Sequence, residues 1–236
     1  MAIIDLPQSL SDRRSNENFW LHGQTVSAGV GLDGREQIMF AENRIWRGKL
    51  DLAHLFGGDI LAARSVGTRL RGRANLLRLT FCNVGTVRYL GDLARFYAEA
   101  NVRAEDVARG YIPFSDGAAF GDGSGFALPE NDEPTAVVDA PKDASEIQIG
   151  GYIGRNATVG ARFSINDFLY EVESNDSGEI TFSPPLREAV SAGTLVKFSE
   201  PTFLVRLEAD RGWEPFTQYG RLNRPMSVDV VEAFDR

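Results

Sequence analysis

The chain has 236 residues, of which 43% are hydrophobic and 10% aromatic, and this composition excludes an intrinsically disordered protein. Its formal net charge is −8, with 15 basic against 12 acidic residues in positions 1–110 and 10 against 21 in positions 111–236. The acidic second half disfavours tight nucleic-acid binding, because neutralising phosphates requires clustered cations.

The amino-terminal residues are polar, and we expect residues 1–15 to be mobile or to be ordered only by a partner. Charged residues interrupt the apolar positions there, so the pattern predicts no signal peptide. No run of about 18 apolar residues occurs, which predicts no membrane span. Four early strands are predicted at Phe19–Leu21, Thr25–Val30, Gln37–Phe40 and Arg44–Leu52, with a turn at 29–34.

A helix and a further strand are predicted after these strands. Apolar residues recur at helical spacing over Asp59–Leu70, and Gly72 is placed to end that helix. Ala74–Phe81 reads as a strand, and Cys82 follows it as the only cysteine. An internal disulfide and a cysteine zinc site are therefore excluded, and we interpret Cys82 as a small apolar filler.

The segment 83–145 is the least regular part of the sequence. A short helix is predicted at Asp92–Ala100, and Pro113–Phe126 reads as a long loop because glycines and aspartates alternate with aromatic residues. A short apolar strand at 136–138 lies between two linker-like stretches.

The segment Ile147–Leu207 consists of short alternating strands separated by turn signals. Asn166-Asp167 and 175–178 are predicted to close hairpins, and Pro184-Pro185 ends a strand because proline donates no backbone hydrogen bond. Pro201–Leu207 is predicted as a strand that returns to the first part of the fold, and the last strand is predicted at 227–234.

The residues with chemical potential form no recognisable catalytic, cofactor or metal motif. His22 and His54 lie in no nucleophile or metal-spacing pattern. The glycine clusters 117–121 and 150–154 are interpreted as turns, and the aspartates of 116–122 fail the calcium-loop spacing. Glu171 and Glu173 and the aromatic residues are more simply explained as solvated strand positions and as core or interface residues. The aromatic residues considered for a sugar-binding platform are Trp20, Trp46, Trp213, Phe216 and Tyr219.

Two stretches of the sequence resemble known tail proteins of long-tailed, siphovirus-like bacteriophages. The first is 159–190, with its motifs Val159–Ile165, Leu169–Val172 and Ile180–Val190. The second is the order of strands, a tryptophan-bearing strand, a helix and a further strand over 44–81, which is similar to the ring-forming domain of distal tail (minor tail) proteins.

The resemblance implies a mainly β fold. Residues 1–82 and 201–236 would form a tail-tube-like β-sandwich with one flanking helix, which would be the ring-forming domain. Residues 83–145 would be an irregular, loop-rich connection. Residues 146–200 would be an inserted small domain resembling a β-barrel.

The implied function is structural and not enzymatic, with no cofactor. The chain would form a homohexameric ring at the tail tip of the virion, joining the tail tube protein to hub or baseplate and receptor-binding proteins. Genomic DNA would pass transiently through its lumen, no membrane would be involved, and assembly would take place in the cytoplasm of the bacterial host. Three alternatives stay open: a hub component of the baseplate, a carbohydrate-binding β-sandwich module, and a tail-associated hydrolase.

Overall fold

A computed structural model describes residues 1–30, 32–81, 102–109, 111–114, 118, 120, 125–126, 134–213 and 225–234. The fold is mainly β, as the sequence predicts. Its strands are β1 (Ile3–Asp5), β2 (Arg14–Val30), β3 (Glu36–Leu52), β4 (Leu76–Thr80), β5 (Glu146–Gln148), β6 (Arg162–Ile165), β7 (Phe168–Asp176), β8 (Glu179–Ser183), β9 (Thr202–Leu207) and β10 (Met226–Glu232). Its helices are α1 (Gln8–Ser11), α2 (Gly58–Leu70), α3 (Ala104–Arg109) and α4 (Gly151–Asn156).

The first sheet has six strands in the order β1-β4-β9-β10-β3-β2. It is mixed, because β1 runs parallel to β4 while the other neighbours are antiparallel. The helix α2 contributes Ala63, Val66 and Leu70 to the core that this sheet buries. A sheet with one flanking helix is therefore present, and its central strands β9 and β10 come from the end of the chain.

The amino-terminal residues belong to this first core, which corrects the expectation that residues 1–15 are mobile or ordered by a partner. Ile4 and Leu10 are buried, and β1 pairs with β4 from Ile3 opposite Leu76. This segment has few apolar side chains, but β1 brings them to the edge of the sheet beside β4. Burying each of them removes apolar surface from water.

Alternation along β3 and the helical spacing of α2 are confirmed. Trp46, Leu50 and Leu52 are buried while Lys49 between them is exposed. The predicted helix 59–70 differs from the observed α2 by one residue. It ends at 71–72, where both residues have positive φ (51° and 65°), a conformation that stops a helix.

The second sheet has four strands in the order β5-β8-β7-β6 and covers its own core. The predicted hairpin turns at Asn166-Asp167 and Ser177-Gly178 are present, and all four residues have positive φ. A closed barrel is not confirmed. Beyond these four strands, the connection between the edge strands consists of isolated bridges, which join Ser164 to Lys197, Thr135 to Leu195 and Ala136 to Ile149.

The second core starts earlier in the sequence than residue 146. Ala136 and Ala140, which the sequence pattern placed in the connecting segment 83–145, are buried among the residues of the second sheet. Backbone bridges from Ala136 to Ile149 and from Ala140 to Val190 hold them there. Small alanines with few strand neighbours give a weak pattern, so the sequence alone did not show this burial.

The glycine cluster 150–154 was interpreted as a turn, and this was wrong in part. Gly151–Asn156 forms the short helix α4, in which Ile153 is buried in the second core. The predicted helix Asp92–Ala100, Cys82 and most of the Pro113–Phe126 loop lie outside the described residues.

Candidate interaction surfaces

The hairpin of β2 and β3 extends well beyond the rest of the first sheet. These strands pair from Arg14 opposite Leu52 to Val30 opposite Glu36. The neighbouring strand β10 covers β3 only from Arg47 to Leu52. Among the described strands, residues 24–30 and 36–41 therefore pair only with each other. We call residues 24–30 and 32–41 the hairpin tip.

The hairpin tip carries large apolar side chains that the described part of the chain does not cover. Each of five such side chains is more than half exposed: Val26, Val30, Leu32, Ile38 and Met39. A two-stranded hairpin is marginally stable by itself, and clustered exposed apolar side chains mark contact surfaces. Its outer strand β2 also offers the unpaired backbone groups of a sheet edge. These properties indicate a protein-binding element.

The inserted unit, residues 134–200, is attached to the first sheet through β7, whose first three residues are buried on both faces of the strand. Leu169 lies in the first core, whereas Phe168 and Tyr170 on either side of it lie in the second. The indole Nε1 of Trp46 donates a hydrogen bond of 2.7 Å to the carbonyl oxygen of Leu169. The two cores are thus joined by a shared strand.

A buried ion pair closes the same junction. Arg187 donates from Nε to Oε1 of Glu232 (3.1 Å) and from Nη2 to Oε2 (2.9 Å), with the two side chains 7% and 1% exposed. The backbone N–H of Trp46 donates to Oε2 of Glu232 at 3.0 Å, and Arg187 also donates to the carbonyl oxygen of Arg44. Because Glu232 is on β10 and Arg187 follows β8, this network clamps the inserted unit to the first sheet.

A second arginine, which lies beside Trp46, also bridges the two units. Arg162 of β6 donates to Glu171 at 2.9 Å and to the carbonyl oxygen of Phe19 at 3.1 Å. Its guanidinium carbon lies 4.9 Å from the ring centre of Trp46 and 4.6 Å from that of Phe81. Such cation–π contacts strengthen as the cation is removed from water.

Asp167 in the β6–β7 turn supplies a third connection. It accepts hydrogen bonds from Arg78 of β4 at 3.1 Å and from the hydroxyl of Thr202 at 2.6 Å. The Tyr170 hydroxyl accepts a hydrogen bond from the backbone N–H of Arg187 at 3.2 Å, and burial raises the pKa of this phenol above its ordinary value. The junction is therefore a connected polar network built around buried apolar side chains.

A cleft of about 430 Å³ opens beside this junction. It is lined by residues from both units, with cationic side chains next to aromatic ones: Arg44, Ile45, Lys142, Asp143, Phe168, Arg187 and Phe234. The guanidinium of Arg187 is paired with Glu232, so its main role is to join the two units and not to bind a ligand in the cleft. The lining contains no histidine, serine or cysteine that could act as a nucleophile or base in the manner of a catalytic triad.

The residues selected from the sequence that the structure describes do not converge on a reaction site. His22 lies on β2 opposite Ile45, and His54 is exposed in the turn before α2. Glu171 pairs with Arg162, and Glu173 lies 4.0 Å from Arg44. Within the described ranges, no group of histidine, cysteine, aspartate or glutamate side chains could hold a metal ion. The aspartates of 116 and 122 lie outside those ranges.

The aromatic residues considered for a sugar platform differ in their exposure to solvent. Trp46 and Trp213 are buried, and Trp20 is exposed. Phe216 and Tyr219 lie outside the described residues. The junction arginines could not be selected from the sequence, since their partners are distant in the chain; the only available signal was the predominance of arginine over lysine.

None of the helices in the described portion is both long and apolar enough to cross a membrane. The sequence matches no protein-family model and no curated protein.

Proposed function

We propose that this chain is a structural subunit of a bacteriophage tail tip, a distal tail protein that forms a ring between the tail tube and the hub. The observation that carries this proposal is the hairpin tip, with its five uncovered apolar side chains. The resemblance of segments 44–81 and 159–190 to phage tail proteins supplies the biological setting.

A closed ring needs a heterologous contact, in which one surface of each subunit binds a different surface of the next. The hairpin tip suits this role because it extends beyond its own sheet and presents apolar side chains together with an unpaired strand edge. In this proposal the first sheet forms the ring, and the lumen passes DNA without binding it tightly.

The attachment of the inserted unit is consistent with a structural role. The Arg187–Glu232 pair and the Arg162 contacts fix this unit to the first sheet. A peripheral partner bound to the unit would therefore be held at a defined position relative to the ring. Receptor-binding proteins are the partners proposed for it. Burial of Trp46 and Trp213 weighs against the alternative of a carbohydrate-binding platform, because such a platform needs exposed rings.

Native mass spectrometry and negative-stain class averages of the purified full chain test the proposal. We expect rings of six subunits with a central hole. The double variant Ile38→Asp/Met39→Asp is expected to stay folded by circular dichroism but to lose the ring, because charges at the contact oppose burial. The matched control is Val137→Asp/Val138→Asp, which alters two adjacent exposed valines of the inserted unit and should leave the ring intact.

Two results would change the assignment. Threefold particles would point to a hub component. A monomer at every concentration, unchanged by the hairpin substitutions, would contradict self-assembly and leave the chain without the proposed role.

A further inference from the structure

The surface of α2 and of the turn after it is strongly basic. Arg64, Arg69, Arg71 and Arg73 are all exposed, and Asp59 is the only acidic residue in 58–74. We call Arg69, Arg71 and Arg73 the arginine surface. Asp59 is engaged elsewhere, since it accepts a hydrogen bond from Arg13 at 3.0 Å. Asp210 is a further carboxylate at this surface, since its Oδ1 accepts a hydrogen bond from the backbone N–H of Arg73 at 3.3 Å. One such carboxylate beside several arginines leaves a net basic charge on the surface.

The fold accounts for only part of this charge. A cation in the last turn of a helix is favoured by the helix dipole, and this explains Arg69 at the end of α2. Arg71 and Arg73 lie beyond the helix. Within the described ranges, Arg69, Arg71 and Arg73 take part in no ion pair. Arg71 and Arg73 gain nothing from the helix dipole, and the three like charges repel one another, so they suit an acidic partner.

The inserted unit of the same chain has the opposite charge. Residues 134–200 contain 10 acidic and 5 basic residues. On the sheet β5-β8-β7, the register places Gln148 opposite Glu179 and Glu179 opposite Asp176, and Glu146 lies on the same face through Thr181. The outward positions of this face bear three carboxylates and no cation: Glu146, Gln148, Ser174, Asp176, Glu179 and Thr181. We call it the acidic face.

The carboxylates of the acidic face are close enough to oppose one another. The hydrogen bond and charge of Glu146, with a smaller contribution from Asp176, raise the pKa of the Glu179 carboxyl. Like charges placed on neighbouring strands are unfavourable, and an opposing cation would remove the conflict. The isolated subunit thus carries two exposed surfaces of opposite net charge on different units of the fold.

We propose that the arginine surface binds the acidic face of a second copy of this chain. The contact is heterologous, because the two surfaces differ, and it can close into a ring. Arginine fits it well, since the planar guanidinium donates paired hydrogen bonds to a carboxylate. The inference rests on the proposed ring, and it names a contact separate from that of the hairpin tip.

A second copy fits the arginine surface better than a nucleic acid does. Each copy of the chain carries one arginine surface and one acidic face, so a second copy always offers the complementary charge. A nucleic acid would have to approach a molecule of net charge −8, with ten acidic residues on the inserted unit alone. Binding to a duplex is accordingly one of the outcomes that the test must separate.

A charge-swap experiment on the full chain tests the contact. One variant carries Arg69→Glu/Arg73→Glu, and the other carries Glu146→Arg/Glu179→Arg. Self-association of each is measured by native mass spectrometry and sedimentation velocity, with circular dichroism to verify folding. Each variant alone is expected to associate about tenfold more weakly, the sum of a few exposed ion pairs, and less so in high salt.

The decisive sample is the equimolar mixture of the two variants. Both contacts become complementary again in an alternating ring, so association should return to the wild-type level. The matched control, Lys142→Glu/Lys197→Glu, reverses two exposed cations of the inserted unit with the same change in net charge as the arginine variant, and should associate like the wild type.

The remaining outcomes overturn the inference in distinguishable ways. Wild-type rings that persist unchanged in both variants would leave the ring function standing and remove this contact from it. Loss of association that the mixture does not recover would assign the arginines to another surface. Retention of a 20-base-pair duplex by the wild type, lost with the arginine substitutions, would favour nucleic acid. Absence of any wild-type ring would remove the proposed function together with this contact.

Discussion

Replacing Glu232 with glutamine should uncouple the inserted unit from the first sheet. The side chain of Glu232 is 1% exposed and accepts hydrogen bonds from Arg187 and from the backbone N–H of Trp46. Glutamine has the same size as glutamate but carries no charge. Its amide NH2 is a donor and would face the donors of Arg187 or Trp46. Breaking a buried pair in this way costs about 3–5 kcal/mol of folding free energy.

The magnitude can be measured by urea unfolding followed by circular dichroism, with thermal unfolding as a second assay. For a chain of this size, each kcal/mol lowers the melting temperature by about 2–4 °C. The matched control is Glu208→Gln, which removes the same charge from the exposed pair with Arg47, where the side chains are 48% and 37% exposed. That substitution should cost no more than about 1 kcal/mol.

Replacing both members of the buried pair separates charge from packing. Arg187→Met with Glu232→Leu leaves no buried charge, and its main cost is the unsatisfied N–H of Trp46, about 1–3 kcal/mol. The double variant is thus expected to be more stable than Glu232→Gln alone. A loss below about 1 kcal/mol for Glu232→Gln, equal to that of the exposed control, would refute the reasoning that this pair clamps the junction.

Three further substitutions test other parts of the fold. Tyr170→Phe should cost about 1–3 kcal/mol in urea unfolding, because the N–H of Arg187 loses its buried acceptor. Gly48→Ala should cost about 1–3 kcal/mol, because a Cβ there collides with the ring of Phe19. Glu179→Gln should stabilise the protein at neutral pH. Because the folded-state pKa of that carboxyl is raised, its protonation stabilises the folded protein. This stabilisation is complete below about pH 4.3 and is lost as the pH rises through the raised value. The gain in stability from Glu179→Gln should therefore vanish at acid pH.

The controls for these substitutions use sites without the proposed interaction. Gly58→Ala has open space around the added Cβ and should leave stability nearly unchanged. Ser65→Ala, on the exposed side of α2, serves as a neutral reference for unfolding. Equal losses for Gly48→Ala and Gly58→Ala would contradict the steric explanation, and a pH-independent effect of Glu179→Gln would contradict the carboxylate explanation.

The sequence predicted the regular parts of the fold well because period and turn residues are local signals. The strand through Trp46, the helix ending near Gly72 and the hairpin at 175–178 all follow from side chains within a few positions. The strand β7 was also predicted, although its first three residues are buried on both faces. Its inward and outward residues belong to two different cores, which the sequence pattern does not distinguish.

The candidate surfaces were harder to predict because they depend on residues that are distant in the sequence. Glu232 and Arg187 are separated by 45 positions, and nothing in either neighbourhood indicates the pair. The hairpin tip reads as two ordinary strands; its importance lies in how far it extends beyond β10, which depends on the lengths of three strands. The burial of Ala136 also depends on a distant partner, Ile149.

The strand order of the first sheet has a consequence for the synthesis of this protein. The pairs β1-β4 and β3-β2 are both translated within the first 80 residues, yet β9 and β10 lie between them in the sheet. The strands that join these two pairs are therefore incomplete until residue 232 has left the ribosome, and the inner edges of both pairs have no partner before then. At about 5–20 residues per second this interval lasts roughly eight to thirty seconds, during which the edges are open to aggregation. The inserted unit, complete by residue 198, can fold first and bring β9 to the gap.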